Sequence, residues 1–431
     1  MSDKQNRYSS PGVLGDPKPI NLARLAWFTV ALLWPVALLN YLDRQMLASM
    51  KESIKGDIGD IATEANWGLI LAQFKWTYAF LSPFGGYFAD RFSRRWTICA
   101  SLIAWSAITW ATGHMTTFQG LLWARTLMGV SEAFYIPAAL ALITEFHLGD
   151  TRSRAVGIHQ TAIYAGVILG GFAGFAAEAP SIGWRFTFDL TGAAGVIYSI
   201  PLLFLLRDAR AETQHEGKKN TKNKKRASIA EVLGGLAGNV SFWLLVIYFT
   251  LPAMAGWVMK DWMPALLMEW FNLGQGIAGV SAALYVNVAS LIGVYLGGWL
   301  ADRWMKRTDR GRIYASAAGM VLMVPALLGI GYSPTLLVAI GFLALFGLGW
   351  GFFDCNNMPI LAQISPARLR ATGYGFMNLV SISCGGLVDW QFGYLRDQKV
   401  PSGPVFVGFA VLALLSAGLV LLIRPRRELE S

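Results

Sequence analysis

Apolar residues run along this chain in blocks longer than a soluble helix needs. Twelve blocks alternate with short polar segments, near 25–50, 66–89, 96–116, 118–146, 153–177, 185–206, 240–268, 276–301, 312–332, 334–363, 368–395 and 402–424. A bilayer core needs roughly 20 apolar residues per helix. The pattern therefore predicts an all-α membrane protein with twelve transmembrane helices. Residues 1–24 are polar and contain Pro11, Pro17 and Pro19, so they read as a cytoplasmic tail. The first apolar block is too long for a cleavable signal core.

Composition sharpens this picture. Of the 431 residues 55% are hydrophobic and 14% are charged, whereas ordinary soluble domains carry about 25% charged residues. That balance argues against a water-soluble enzyme. A net charge of +10 in a soluble chain would suggest nucleic acid, but no basic-aromatic module is present. The basic residues instead lie in short loops. With the N-terminus cytoplasmic, 27 of the 36 Lys and Arg fall inside, and six fall outside: Lys51, Lys55, Arg185, Lys260, Arg396 and Lys399. This bias predicts both termini in the cytoplasm. Arg44, Lys75 and Arg125 remain within spans.

Cys99, Cys355 and Cys384 sit in apolar stretches, and His114, His147, His159 and His215 show no metal spacing. Neither a disulfide framework nor a metal or cofactor site is expected. "GLGWG" at 347–351 lies inside an apolar span without a strand or a lysine, so it is not read as a nucleotide loop.

The chain repeats. "GGYFADRFSRR" (85–95) returns as "GGWLADRWMKR" (297–307), "RSRAVG" (152–157) as "RLRATG" (368–373), and "EAFYIP" (132–137) as "DCNNMP" (354–359). The domain reading follows: a first six-helix bundle over 25–206, a basic linker over 207–238 containing "KKNTKNKKR", a second bundle over 239–424 and a tail over 425–431. Paired six-helix halves suit a transporter that rocks about a central site.

At "GGYFADRFSRR" the chain resembles the major facilitator superfamily, with Ser93 where a glycine is usual. The resemblance implies alternating access and a cytoplasmic gate formed by Asp90, Arg91, Arg94 and Arg95, with Asp302 and Arg303 from the second copy. "NYLDRQ" (40–45), "FKWTYAF" (74–80), "WARTLMGVSEAFYIPA" (123–138) and "DWMPALL" (261–267) resemble the anion:cation symporter family. That likeness implies substrates such as sugar acids, sialic acid and other carboxylates, often moved with protons. Ser82 and Lys75 depart from the family pattern. A neighbouring resemblance, to spinster-like lipid transporters, shares an acid in span 1 and another in span 4.

An ionisable group inside a bilayer costs a few kcal/mol and must pair or face water. Arg44 is the expected substrate anchor, because a guanidinium forks onto a carboxylate and keeps its charge; the bland alternative is an ion pair with Asp43 or Glu132. Arg125 lies at the same level. Lys75 either holds a second anionic oxygen or reaches along the bundle to Asp43 or Glu132. Glu132, assisted by Asp43, is the expected proton carrier, against a strut to Arg125. Asp354, the repeat counterpart of Glu132, is a second coupling or gating candidate beside Asn356 and Asn357. Tyr41, Tyr78, Gln160 and Asn378 are expected to line the cavity, with Trp76 and Asn287. Asp189 and Asp389 receive no role. Gly166, Gly170 and Gly174 recur every four residues in span 5 and permit close helix approach.

The resulting expectation is a monomeric secondary transporter of a bacterial inner membrane. It imports a small organic anion with a proton, or with sodium, and its other partner is the lipid bilayer. A lipid or drug carrier of the same superfamily is the alternative.

Overall fold

The computed structural model describes residues 22–91, 93–147, 151–208 and 238–425, without the side chains of 22, 85–91, 367, 368 and 371. The tail ahead of residue 22, most of the linker and residues 426–431 lie outside the described residues, as do the Asp90 and Arg91 side chains. Before the linker run α1 (Leu22–Ser49), α2 (Lys51–Asp57), α3 (Glu64–Arg91), α4 (Arg94–Thr112), α5 (Phe118–Glu132), α6 (Tyr135–Phe146), α7 (Arg152–Gly171), α8 (Ala173–Glu178) and α9 (Gly183–Leu205). After it run α10 (Val240–Asp261), α11 (Met263–Phe271), α12 (Gln275–Met305), α13 (Gly311–Ile330), α14 (Leu336–Asp354), α15 (Asn357–Ile364), α16 (Ala367–Asp397) and α17 (Ser402–Leu421). No strand occurs among the described residues.

Among the described residues, nine helical stretches are long and apolar enough to cross a membrane. With no water in the hydrocarbon, a helix satisfies its own backbone groups, which is why apolar runs of this length take that form. α3 and α16 have the length, 28 and 31 residues, but carry Lys75 and Asp389 along it.

Three apolar runs that read as single spans are each broken by a proline just past the break. α5 stops at Glu132 and α6 restarts at Tyr135, with Pro137 third in the new helix. α14 stops at Asp354 and α15 restarts at Asn357, with Pro359 third. α10 stops at Asp261 and α11 begins with Met263 and Pro264. A proline supplies no backbone N–H to the preceding turn. Each of these three helices therefore ends on a carboxylate: Glu132, Asp354 or Asp261.

One buried apolar cluster is built on Val30, Leu33, Phe74, Leu102, Trp105, Met128 and Tyr135. A second is centred on Phe242, Tyr248, Met320, Phe346, Phe353 and Phe406 and extends to Met46, Ile54 and Trp67. The crossing from early to late residues is tightest along α3 and α16. A Cβ added at Gly68 would lie 2.4 Å from the carbonyl oxygen of Asp389, so only a glycine fits there. The α7–α8 glycines divide: Gly166 and Gly170 press against Leu38 and Leu42 of α1, while Gly174 meets Gln275 at the start of α12.

Where α3 begins, carboxylates tie the two parts together. Asp397 accepts hydrogen bonds from the backbone nitrogens of Glu64 and Ala65, both at 2.8 Å. Glu178 accepts from Gln275 N at 2.5 Å and Gly276 N at 3.2 Å. The first N–H groups of a helix lack internal partners and favour negative charge, so each carboxylate caps a helix from the far side of the linker. Glu64 also binds Lys51 at 2.5 Å and Lys55 at 2.7 Å.

Candidate functional site

Asp43 and Arg44 are neighbours on α1, and each finds its partner on α5. Arg44 holds Glu132 through Nε at 2.7 Å and through a terminal guanidinium nitrogen at 2.6 Å. Arg125 lies 3.7 Å from Asp43. Arg125 and Glu132 are seven residues apart, two helical turns, so two adjacent residues on one helix reach two stacked positions on the other. Gly129 lets α5 approach closely, since a Cβ there would sit 2.8 Å from the carbonyl oxygen of Phe74.

Aromatic rings surround the guanidinium. The Arg44 Cζ lies 4.7 Å from the ring centroids of Tyr41 and Phe74 and 4.9 Å from that of Tyr78. The Arg125 Cζ lies 5.2 Å from the Phe74 centroid. Such faces attract cations, more strongly once water is removed. The Glu132 side chain is fully buried and that of Arg44 is 9% exposed. Among the described residues, one oxygen of Glu132 has no hydrogen-bond partner.

Lys75 is placed differently from the expectation. It reaches neither Asp43 nor Glu132; its ammonium pairs with Asp261 at the end of α10 and with Asp389 of α16. Its position on α3 explains this. Residue 75 faces the seam with α16, on the same side as Gly68 and as Trp76, whose Nε1 donates to Ser383 O at 3.1 Å. The Trp257 ring lies 4.3 Å from the Lys75 ammonium. Asp389, which carried no expected role, thus becomes half of an ion-paired cluster, and Asp261 the other half.

Lys260 also requires correction. It counted among the outer loop charges, but it is the penultimate residue of α10, and α11 continues for nine residues beyond it. Its ammonium stands 5.2 Å from the Tyr41 ring and 5.6 Å from the Trp257 ring. Lys260 therefore lies ahead of the break at Trp262, eleven residues before the end of α11.

The remaining expected residues scatter. Asp354 and Asn378 are half-buried, and Gln160 is exposed. Asn356 is buried and donates to Phe352 O at 2.9 Å; Asn357 is buried, and among the described residues neither of its amide atoms has a partner. Asn287 donates to Ala283 O within its own helix at 2.7 Å. Asp189 lies 3.3 Å from His114. Of the gate residues, Arg94 pairs with Glu145 and Arg95 donates to Leu203 O, both before the linker. Asp302 and Arg303 are exposed. Among the described residues no cluster of His, Cys, Asp and Glu suits a metal.

A family model described as Major Facilitator Superfamily matches residues 33–388. The chain is 27% identical over 378 residues to Protein spinster of Drosophila melanogaster, covering 85% of this chain and 61% of that protein. It is 25% identical over 434 residues to the D-galactonate transporter of Escherichia coli, covering 93% of this chain and 96% of the relative. Among solved structures it resembles a bacterial homolog of the human lysosomal transporter Spinster, in an inward-facing and unoccupied conformation. The TM-score is 0.75 at 19% identity, covering 94% of this chain and 95% of the other.

Proposed function

Because this chain belongs to the Major Facilitator Superfamily, we propose that it is a secondary active transporter that imports an organic anion, a sugar acid or similar carboxylate, together with a proton. Twelve spans form two six-helix halves, residues 25–206 and 239–424, joined by the basic linker 207–238. Both termini, with the tails 1–24 and 425–431, face the cytoplasm. The protein works as a monomer in a bacterial inner membrane.

The observation that carries this reading is the buried grip of Glu132 on Arg44. Leaving one partner of a buried ion pair alone is strongly unfavourable. A proton arriving on Glu132 removes the negative charge that Arg44 faces. A substrate carboxylate restores it, through two parallel hydrogen bonds. Substrate and proton therefore enter together, and Arg44 is never left without an anion. Asp43 holds Arg125 at the next turn and supports the exchange. Asp354, at the matching helix end in the second half, supplies a second coupling group, while Tyr41, Tyr78, Gln160 and Asn378 line the path.

Alternating access follows from the seam. The Lys75 cluster and the Asp397 cap on α3 form the closed outer gate. Asp90, Arg91, Arg94, Arg95, Asp302 and Arg303 form the cytoplasmic gate, which engages when the outer one opens.

D-galactonate is the first substrate to test, since the Escherichia coli relative is named for it. In proteoliposomes R44A abolishes uptake, and E132Q retains counterflow but loses accumulation driven by a pH gradient. Uptake unchanged in R44A, or accumulation that still follows the gradient in E132Q, rejects the mechanism. Similarity to Protein spinster supports a second reading, a lipid or drug carrier. Thermal stabilisation by amphiphiles and by no sugar acid would select it.

A further inference from the structure

A cavity of about 460 Å³ opens between the ends of α11, α13 and α16 and the start of α17. Its volume falls within the roughly 300–1,000 Å³ of small-ligand sites. Glu269, Arg396 and Lys399 are the charged residues that line it, and Trp270 and Tyr332 add two rings. Glu269 is held by Arg396 at 2.5 Å, and the same guanidinium stands 3.7 Å from Glu64 at the start of α3. Lys399 is exposed, and among the described residues it forms no ion pair. The lining thus carries one net positive charge.

The backbone at Lys399 is unusual for a lysine. α16 ends in two hydrogen bonds, from Lys399 N to Arg396 O at 2.9 Å and from Val400 N to Leu395 O at 3.0 Å. Such an ending puts one residue in the left-handed region, where glycine is usual, and Lys399 has φ 57°. A lysine standing in the glycine position brings a cation to the edge of the cavity.

The surroundings point to lipid. Val321, Pro325 and Leu328 are exposed at helical spacing along α13, and Tyr332 follows four residues on. Pro404, Gly408, Val411 and Leu415 are exposed at helical spacing along α17. The two helices close on each other at the cavity, where a Cβ on Gly331 would lie 2.8 Å from Gly403 Cα. Both apolar stripes therefore end at the charged lining. Stripes of this kind face acyl chains in a spanning protein, and a ring such as that of Tyr332, 63% exposed, sits at headgroup level.

We propose that this cavity binds the phosphodiester of an anionic phospholipid, with Lys399 and Arg396 on the phosphate oxygens and the acyl chains along α13 and α17. In the orientation proposed above, the lipid belongs to the outer leaflet. Basic pockets between spanning helices hold anionic headgroups. A guanidinium has five N–H donors, enough for Glu269 and a phosphate oxygen together. The single negative charge of a diester balances the lining. Glu269 accepts from the hydroxyls of a glycerol headgroup and disfavours a second negative charge, so phosphatidylglycerol fits better than a phosphate monoester. A zwitterionic lipid brings no net charge and leaves the lining positive. Because Arg396 also reaches toward Glu64, the occupant stands one side chain from the α3–α16 seam. The assignment does not depend on which solute is carried.

The test is lipid retention by the purified full-length protein, reconstituted with equal amounts of phosphatidylglycerol and phosphatidylcholine and read by native mass spectrometry. K399M and K399G each retain one phosphatidylglycerol fewer than wild type, with phosphatidylcholine retention unchanged, and K399R retains the wild-type number. K399G separates binding from folding. It relaxes the left-handed backbone, so its melting temperature in phosphatidylcholine alone stays at or above wild type while the lipid is lost. Wild-type phosphatidylglycerol retention in K399M and K399G overturns the assignment and leaves the transporter reading standing. Thermal stabilisation of wild type but not of K399M by inorganic phosphate, with equal lipid retention in the two, assigns the cavity to free phosphate and overturns the lipid assignment as well.

Discussion

Lys75 on α3 and Asp389 on α16 form a buried ion pair between residues 314 positions apart. Asp261, at the end of α10, shares the same ammonium. Three helices from either side of the linker are thereby tied at one point. The Asp389 side chain is fully buried, so its charge depends on the lysine.

Removing that lysine should expose the dependence. K75M leaves two carboxylates buried together without a cation, and breaking a buried pair in this way costs about 3–5 kcal/mol. The melting temperature of K75M in detergent should fall well below wild type. The triple variant K75M/D261N/D389N removes the stranded charges and should recover much of the loss. Equal melting temperatures for K75M and wild type would show that the cluster carries no stability.

R44K keeps the positive charge and loses the fork. A lysine ammonium makes no parallel pair of bonds to one carboxylate and is more tightly hydrated than a guanidinium. D-galactonate uptake should fall at least about tenfold, equivalent to about 1.4 kcal/mol. The stacking on Tyr41, Phe74 and Tyr78 weakens at the same time. Uptake within twofold of wild type would mean that charge alone suffices.

The Asp43–Arg125 contact is longer, at 3.7 Å, and both side chains are buried. D43N strands Arg125 and R125M strands Asp43, so each single change should lower thermal stability. D43N/R125M should lower it by less than the sum, because residues in contact couple by 0.5–3 kcal/mol. Additive losses would place the two residues in separate roles.

What the sequence reveals of this site depends on how local the cause is. Apolar block length and the repeated motifs point to a helical membrane protein, since each helix must satisfy itself within its own run. The spacing of Glu132 to Pro137 and of Asp354 to Pro359 is a local signal, and the structure puts both acids at helix ends. The same spacing does not announce that the helix stops there, which is why 118–146 and 334–363 read as unbroken spans. Asp43, Arg44, Arg125 and Glu132 are legible because charge inside an apolar run is costly. Their pairing is less so: sequence leaves open whether Glu132 serves Arg44 or Arg125. Lys260 is hidden by its position, since a lysine followed by Asp-Trp-Met-Pro resembles the polar end of a span. The clue is the apolar run over 263–268 that follows it. Asp389 has no local signature at all. Its partner sits 314 residues away, and only the packing of α3 on α16 brings them together.

Gly68 offers a direct check on that packing. A Cβ there would lie 2.4 Å from Asp389 O and 2.9 Å from Trp390 Cα. Both are backbone atoms of α16, so no side-chain rotation relieves the clash, and the helices themselves must separate. Lys75 lies seven residues further along the same face of α3, two turns away, so separation at residue 68 also pulls its ammonium away from Asp261 and Asp389. G68A should therefore favour the outward-open form and slow D-galactonate uptake. Native Cys384 reports the change, because it adjoins Ser383, whose carbonyl accepts the seam hydrogen bond from Trp76. In a C99S/C355S background, a membrane-impermeant maleimide added from outside should label Cys384 faster in G68A than in the glycine parent. Equal labelling and equal uptake would show that the α3–α16 contact does not move during transport.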